Sequence, residues 1–260
     1  MFGITKSSSA QKKREDGEKP FWISFSDLMS SLMVLFLISM TVALLAVTNE
    51  PDIAAKEEAD RNKAIADFMS EIKQILTEKE FEGVKVTDTT IDFGVRGTFE
   101  KEGQNTLNPL QSQMLRSFTP QLLEKLRTTE AGKVWFNRAI VEGYASKTGT
   151  YLFNLNLSLE RSQRVLCELL REPANKSEKP FSENDRKLIA TKFFVGGASF
   201  NSLRSGSSEL NRRIEFRLEF KTRLEKIKED ASPAPKLDES ELTKALDPKE
   251  RCPILERSMS

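Results

Sequence analysis

Asp27 is a carboxylate set in an apolar stretch. Residues Leu28 to Val47, LMSSLMVLFLISMTVALLAV, carry no charge, and Phe21 to Phe25 are mostly apolar too, so the hydrophobic segment begins before Asp27. Apolar surroundings favour the protonated form of a carboxylate, so a group placed there can load and release protons. Ser24, Ser26, Ser30 and Ser31 can wet or hydrogen-bond its surroundings. A hydrated carboxylate at a membrane interface is the plainer reading. Other reactive chemistry is scarce. The chain has no histidine, which excludes His-based triads and the commonest metal ligand. Cys167 and Cys252 form no C-x-x-C motif, so no cysteine metal site is expected. No nucleophile–base pair and no phosphate loop is present, so neither an enzyme nor a cofactor is expected.

The segment that holds Asp27 is long enough to cross a bilayer. Twenty residues at 1.5 Å each span roughly 30 Å. Phe21 and Trp22 stand where interfacial aromatics belong. Lys6, Lys12, Lys13, Arg14 and Lys19 precede the span, whereas the residues just after it hold five acids against Lys56, Arg61 and Lys63. This asymmetry predicts a cytoplasmic N-terminus and an uncleaved signal anchor. A single helix has no second wall for an ion path, so a multi-span partner is implied. The whole chain, 260 residues with 40 basic and 39 acidic side chains, has a net charge of +1, which argues against direct nucleic-acid binding.

After the span, Pro51 suggests a break between helices. Ile65, Phe68, Met69, Ile72, Ile75 and Leu76 then make one helical stripe. That stripe suits dimer pairing, packing on the next domain, or a solvated spacer. Further on, Val84 to Val95 reads as a strand, Asn108 to Leu126 as a helix and Val134 to Tyr144 as a strand. Ser158 to Leu170 reads as a helix, Lys192 to Val195 as a short strand ending at Gly196 and Gly197, and Arg212 to Phe220 as a half-buried strand. The expected fold class is a membrane protein: one N-terminal transmembrane helix plus an α+β domain with a mixed sheet and helices on one face. Beyond it, Leu224 to Glu229 and Leu237 to Ala245 read as short helices flanking a linker at Ser232 to Lys236. Outside the cytoplasm a Cys167–Cys252 bridge would staple this extension to the domain; a buried Cys167 with an intermolecular Cys252 pair is the alternative.

The stretch GYASKTGTYLFNLNLSLERSQRV from Gly143, with LNRRIEF from Leu210, resembles the peptidoglycan-binding domain of OmpA-like proteins. That family carries an Asp after its second strand, then N-x-x-L-S-x-x-R, then N-R-R before its last strand. Asn154, Leu157, Ser158 and Arg161 match, as do Asn211, Arg212 and Arg213. The resemblance covers roughly Val84 to Phe220. It implies that Arg161 grips a diaminopimelate carboxylate bidentately, with Asn154 and Leu157 shaping the same pocket. Ser146 stands where the family has Asp and offers no counter-charge to the ligand's ammonium. Peptidoglycan binding is then weaker, or uses a different polar partner.

A single span with an early Asp, joined by a short stem to such a domain, resembles MotB-type stator subunits. The local run from Trp22, WISFSDLMSSLMVLF, looks closer to the ZorB subunits of Zorya anti-phage defence systems than to the flagellar version. The resemblance implies an inner-membrane motor subunit whose Asp27 carries ions, with protons favoured over sodium. It implies two copies of the chain, a homodimer, inside a ring of a multi-span ZorA- or MotA-like partner, with the outer domain on the cell wall. A flagellar stator and a passive membrane-to-wall tether are the alternatives. The expected organisation is a cytoplasmic tail at 1–20, a span at 21–48, a periplasmic stem at 49–82, the OmpA-like domain at 83–221 and an extension at 222–260.

Overall fold

The computed structural model describes residues 18–173, 178–233, 235 and 237–256. The basic tail at 1–17, the Phe21 side chain and part of the 232–236 linker lie outside the described residues. The chain divides into two compact units, Met1–Glu57 and Glu58–Ser260.

Helix α1, Glu18–Ile75, is a single 58-residue run. The expected break at Pro51 is absent: α1 runs on through it. In the first unit, Ser24–Leu45 has a mean hydropathy of 2.4, and every described side chain along it is exposed. Among the described residues this is the one helix long and apolar enough to cross a membrane.

The second unit begins with the rest of α1. Phe68, Met69, Ile72 and Leu76 are buried in the core, with Ile65 and Ile75 packed against it. The stripe therefore packs on its own domain instead of pairing with a second helix.

The sheet has five strands: β1 Lys85–Thr87, β2 Thr90–Asp92, β3 Phe136–Gly143, β4 Phe193–Gly197 and β5 Ile214–Phe220. Their order is β1-β2-β5-β3-β4, with β3–β4 parallel and the other pairs antiparallel. The single strand expected at Val84–Val95 is instead a hairpin, turned at Asp88 with φ of 50°.

The helices are α2 Pro109–Thr128, α3 Tyr151–Leu170, α4 Glu183–Lys192, α5 Arg223–Ala231 and α6 Glu239–Ala245. Asn108 and Gln111 close a capping box on α2, with Pro109 in its first turn. Helix α3 starts two turns earlier than its apolar stripe suggests, because Thr150 caps it. Helix α4, not foreseen in the sequence, is started by a Ser182–Asp185 box and buries only Ile189.

Ile91, Ala139, Val141, Phe193, Ile214, Phe216 and Leu218 face the helices across one core. Phe93 stands edge-on to both Phe118 and Phe216, at 5.7 and 5.0 Å between ring centres. The opposite sheet face carries cross-strand ion pairs, Arg138–Glu219 at 2.7 Å and Arg217–Glu142 at 2.6 Å.

The C-terminal segment is tied along α3. Cys167 and Cys252 form a disulfide with Cα atoms 5.6 Å apart. The Glu172 N–H donates to Pro248 O at 2.9 Å, Arg164 Nη2 to Ile254 O at 3.1 Å, and Asn105 Nδ2 to Leu255 O at 2.9 Å.

Two stability outcomes follow. In the detergent-solubilised chain, Ile72→Ala lowers the unfolding free energy of the second unit by about 2–5 kcal/mol, whereas exposed Ile53→Ala changes it by about 0.5 kcal/mol or less. Denaturant unfolding followed by circular dichroism separates the two. Reduction, or Cys252→Ser, speeds amide hydrogen exchange at Glu172 and through residues 246–256, and costs up to about 4–5 kcal/mol by the loop-entropy argument.

Candidate functional site

Two places carry chemistry, one in each unit. In the first, Asp27 lies on the described apolar helix, exposed in the single chain. Ser24, Ser30 and Ser31 stand three or four residues away, on the same helical face. The Ser30 hydroxyl donates to Ser26 O at 2.8 Å, so it is satisfied within the helix. Nothing else in the described chain walls off this face.

The second place is built where α3 meets the ends of β3 and β4. Gly143 and Gly197 are paired across these strands. A Cβ on Gly143 would lie 1.8 Å from Ser158 O, and one on Gly197 would lie 2.8 Å from Leu159 N. Only glycines let the helix backbone rest on the sheet this closely. Ser158 fits the contact: its hydroxyl donates to Leu155 O at 2.8 Å and accepts from Ser199 N at 3.0 Å.

One turn further along α3, Arg161 is enclosed, at 0% exposure. Nε donates to Gln104 O at 2.9 Å and Nη1 to Tyr144 O at 2.8 Å. The guanidinium stacks 4.5 Å from the Phe99 ring centre. Burial lowers its pKa from 12.5 to about 9, Arg212 adding to the fall and Glu160 opposing it, so it stays cationic at neutral pH. Nη2 is buried with no hydrogen-bond partner among the described residues.

That combination sets Arg161 apart from the other buried arginines described. Arg116 pairs with Glu168 at 2.6 Å, and Arg213 pairs with Glu215 at 2.7 Å while covering the Tyr144 ring. Arg212 has no buried nitrogen left over: it donates to Phe99 O and Glu100 O at 2.9 and 2.8 Å. Arg161 has neither a carboxylate nor a partner for its third nitrogen among the described residues. A planar cation in that state is suited to an anion supplied from outside, a carboxylate above all.

The other predicted residues support this centre from different positions. Asn154 is 2% exposed, and its Nδ2 donates to Thr148 O at 2.9 Å, fixing the loop before α3. Leu157 is a core-side residue, 2% exposed. Ser146 is 5% exposed, on the loop between Tyr144 and Thr148. The structure thus brings Arg161, Asn154 and Ser146 to one loop–helix junction. Asp27 belongs to the other unit, and the disulfide lies further along α3 beside a cavity of about 380 Å³ lined by Leu166, Leu170, Pro253 and Ile254. No group of side chains placed to hold a metal ion occurs among the described residues.

Sequence reasoning named Gly143, Gly197 and Arg212 without giving them these roles, and it missed Phe99 beneath Arg161. Gly143 heads the motif that pointed to Arg161, and its place directly before the loop was the available signal.

No protein-family profile matches the chain. It is 36% identical over 222 residues to the Zorya protein ZorB of Escherichia coli O139:H28 (strain E24377A / ETEC), covering 84% of this chain and 86% of that one. Among solved structures it is similar to the periplasmic domain of Helicobacter pylori MotB, at 16% identity over 60% of this chain and 93% of that one, with a TM-score of 0.39. It is also similar to the cell wall anchor of the T6SS from Pseudomonas aeruginosa, at 16% identity over 60% of this chain and 97% of that one, with a TM-score of 0.37.

The glycine floor makes a sharp prediction. Gly143→Ala destabilises the second unit by about 3 kcal/mol or more and shifts the Arg161 surroundings, because the clash is with backbone. Gly196→Ala, whose Cβ would meet Ile140 Cγ2 at an ordinary 3.5 Å, changes stability by about 1 kcal/mol or less. Thermal unfolding and amide exchange at residues 144–150 test the contrast.

Proposed function

The chain belongs to the family of the Zorya protein ZorB, and from that premise we propose that it is the wall-anchored, ion-carrying subunit of a membrane motor in anti-phage defence. The observation that carries the reading is Asp27 on a membrane-length helix whose sides are all exposed in the single chain. A carboxylate there costs a few kcal/mol unless protein or water covers it. A ring of a multi-span, ZorA- or MotA-like partner around two copies of the chain supplies that cover and the second wall of an ion path. The charge asymmetry around the span supports a bacterial inner-membrane protein with its N-terminus in the cytoplasm and residues from 49 onward in the periplasm.

The second unit is the anchor. Its Arg161 takes a carboxylate of the peptidoglycan stem peptide, with Asn154 fixing the adjacent loop and Leu157 seating the helix. The covered state of Nη2 means that a ligand reaches it when the segment around Gln104 and Tyr144 gives way. In this assignment no step is enzymatic: protonation of Asp27 removes one charge, changes how the helix packs on its partner, and so couples ion passage to motion of the ring.

Asp27→Asn, expressed with the genomic partner at unchanged membrane level, tests this. The substitution keeps size and polarity but removes the titratable group. Loss of phage protection supports the defence motor, and loss of swimming instead supports a flagellar stator. Retention of both would falsify ion carriage and leave a passive wall tether.

A further inference from the structure

We propose that residues 246–256 form an autoinhibitory strap: they brace the segment that covers Arg161, and their release admits the ligand. This rests on the wall-binding role of Arg161 given above and adds the part of the chain that regulates access to it.

Arg161 is at 0% exposure, and its Nη2 is buried without a hydrogen-bond partner among the described residues. An anion reaches that nitrogen only when one of its covers moves. One cover is the Gln104 carbonyl, which accepts from Arg161 Nε at 2.9 Å. The next residue, Asn105, is itself at 0% exposure. Its Nδ2 donates to Glu160 Oε2 and to Leu255 O, both at 2.9 Å. One side-chain amide thus joins the cover, helix α3 and the strap. Moving Gln104 outward pulls on both bonds.

The strap can come away without unfolding the domain. No residue from 237 to 256 is buried, and the hydrophobic core contains none of them. A cavity of about 380 Å³ lies between the strap and α3. Leu255, whose carbonyl holds Asn105, leaves its side chain 85% exposed, so packing does not fix it. Discrete ties do: the Cys167–Cys252 disulfide, the Glu172 N–H to Pro248 O at 2.9 Å, and Arg164 Nη2 to Ile254 O at 3.1 Å. Cys252 is three residues before Leu255, and three residues of chain span at most ~11 Å. The disulfide therefore confines the Leu255 carbonyl to the side of α3 where Asn105 meets it. Without the disulfide, the same hydrogen bond must order a longer untethered segment, and that ordering opposes it. The open population of the Gln104 segment then rises, and the apparent affinity of the site rises by the same factor.

The test uses the full chain in detergent, with Cys167→Ser and Cys252→Ser combined so that no lone thiol remains. The probes are meso-diaminopimelate and isolated sacculi. The cysteine-free variant binds meso-diaminopimelate about fivefold more tightly than the wild type, the scale of one hydrogen bond. It also sediments with fewer sacculi. Asn105→Ala reproduces the gain with the disulfide intact, and adding it to the cysteine-free variant gives little more, because both changes cut one link. The Gln104 N–H, which donates to Lys101 O at 3.3 Å, exchanges faster in each variant and reports the release without any ligand. Affinity that stays or falls in the cysteine-free variant overturns the strap, whatever exchange does. Tighter binding with unchanged exchange at Gln104 overturns it too, since the gain then arises elsewhere. Arg161→Lys separates this failure from that of the underlying reading. Loss of both probes in Arg161→Lys keeps the wall reading even where the strap has failed. Sedimentation of Arg161→Lys at the wild-type level refutes wall binding by Arg161, and the strap with it. Circular dichroism checks that each variant is folded.

Discussion

The contact between α3 and the sheet at Gly143 and Gly197 is the constraint on which the second unit turns. Helices usually rest on sheets through side chains, which hold the backbones well apart. Here the Ser158 carbonyl occupies the space a Cβ would need. The helix is thereby lowered onto the ends of β3 and β4, and a residue one turn along is driven inward. That residue is Arg161, a long cation that a raised helix would leave at the surface. Its burial is thus a consequence of two glycines on neighbouring strands and of a small hydroxyl residue facing them.

Once the guanidinium is inside, the loops must answer for it. A buried charge is costly unless it is hydrogen-bonded, and a hydrogen bond to a charged group contributes about 1.5–3 kcal/mol. The carbonyls of Gln104 and Tyr144 meet two of its nitrogens, and Arg212 fixes Phe99 and Glu100 beside them. Segment 99–105 and the loop after β3 are consequently shaped around the cation, although little regular structure holds them. Leu255 O, bound to Asn105, links the disulfide-stapled C-terminal segment to the same loop. Peripheral parts of the chain therefore bear on a centre that they do not touch.

Much of this was legible in sequence because it rests on periodicity. The stripe from Ile65 to Leu76, the faces of α2 and α3 and the alternation of β5 all follow from one buried side per element. The mixed sheet was legible for the same reason, and the motif from Asn154 to Arg161 marked the centre. What periodicity cannot report is conformation set by single residues. The Asp88 turn splits one apparent strand into two because a left-handed residue leaves no mark on hydrophobic spacing. Helix α4 buries only Ile189, so its start is written in a capping box and not in a stripe. Pro51 read as a break, yet the helix runs on through it.

Asp27 and Arg161 are both charged groups without an ion pair among the described residues. Arg116, Arg213 and Arg217 find carboxylates within the chain, and their energies are settled when the chain folds. Asp27 is exposed on an apolar helix, and Arg161 is enclosed with a nitrogen unmet. Neither demand is answered among the described residues, and in the proposed reading each is answered by a different kind of partner. Near Asp27 the missing element is a protein wall with water in it; near Arg161 it is a fixed anion. A carrier that changes charge exerts force on its surroundings only if something else is held still. The anion is therefore as necessary to the motor reading as the carboxylate, for without a grip outside the membrane the coupling of charge to packing would turn both partners together and do no work.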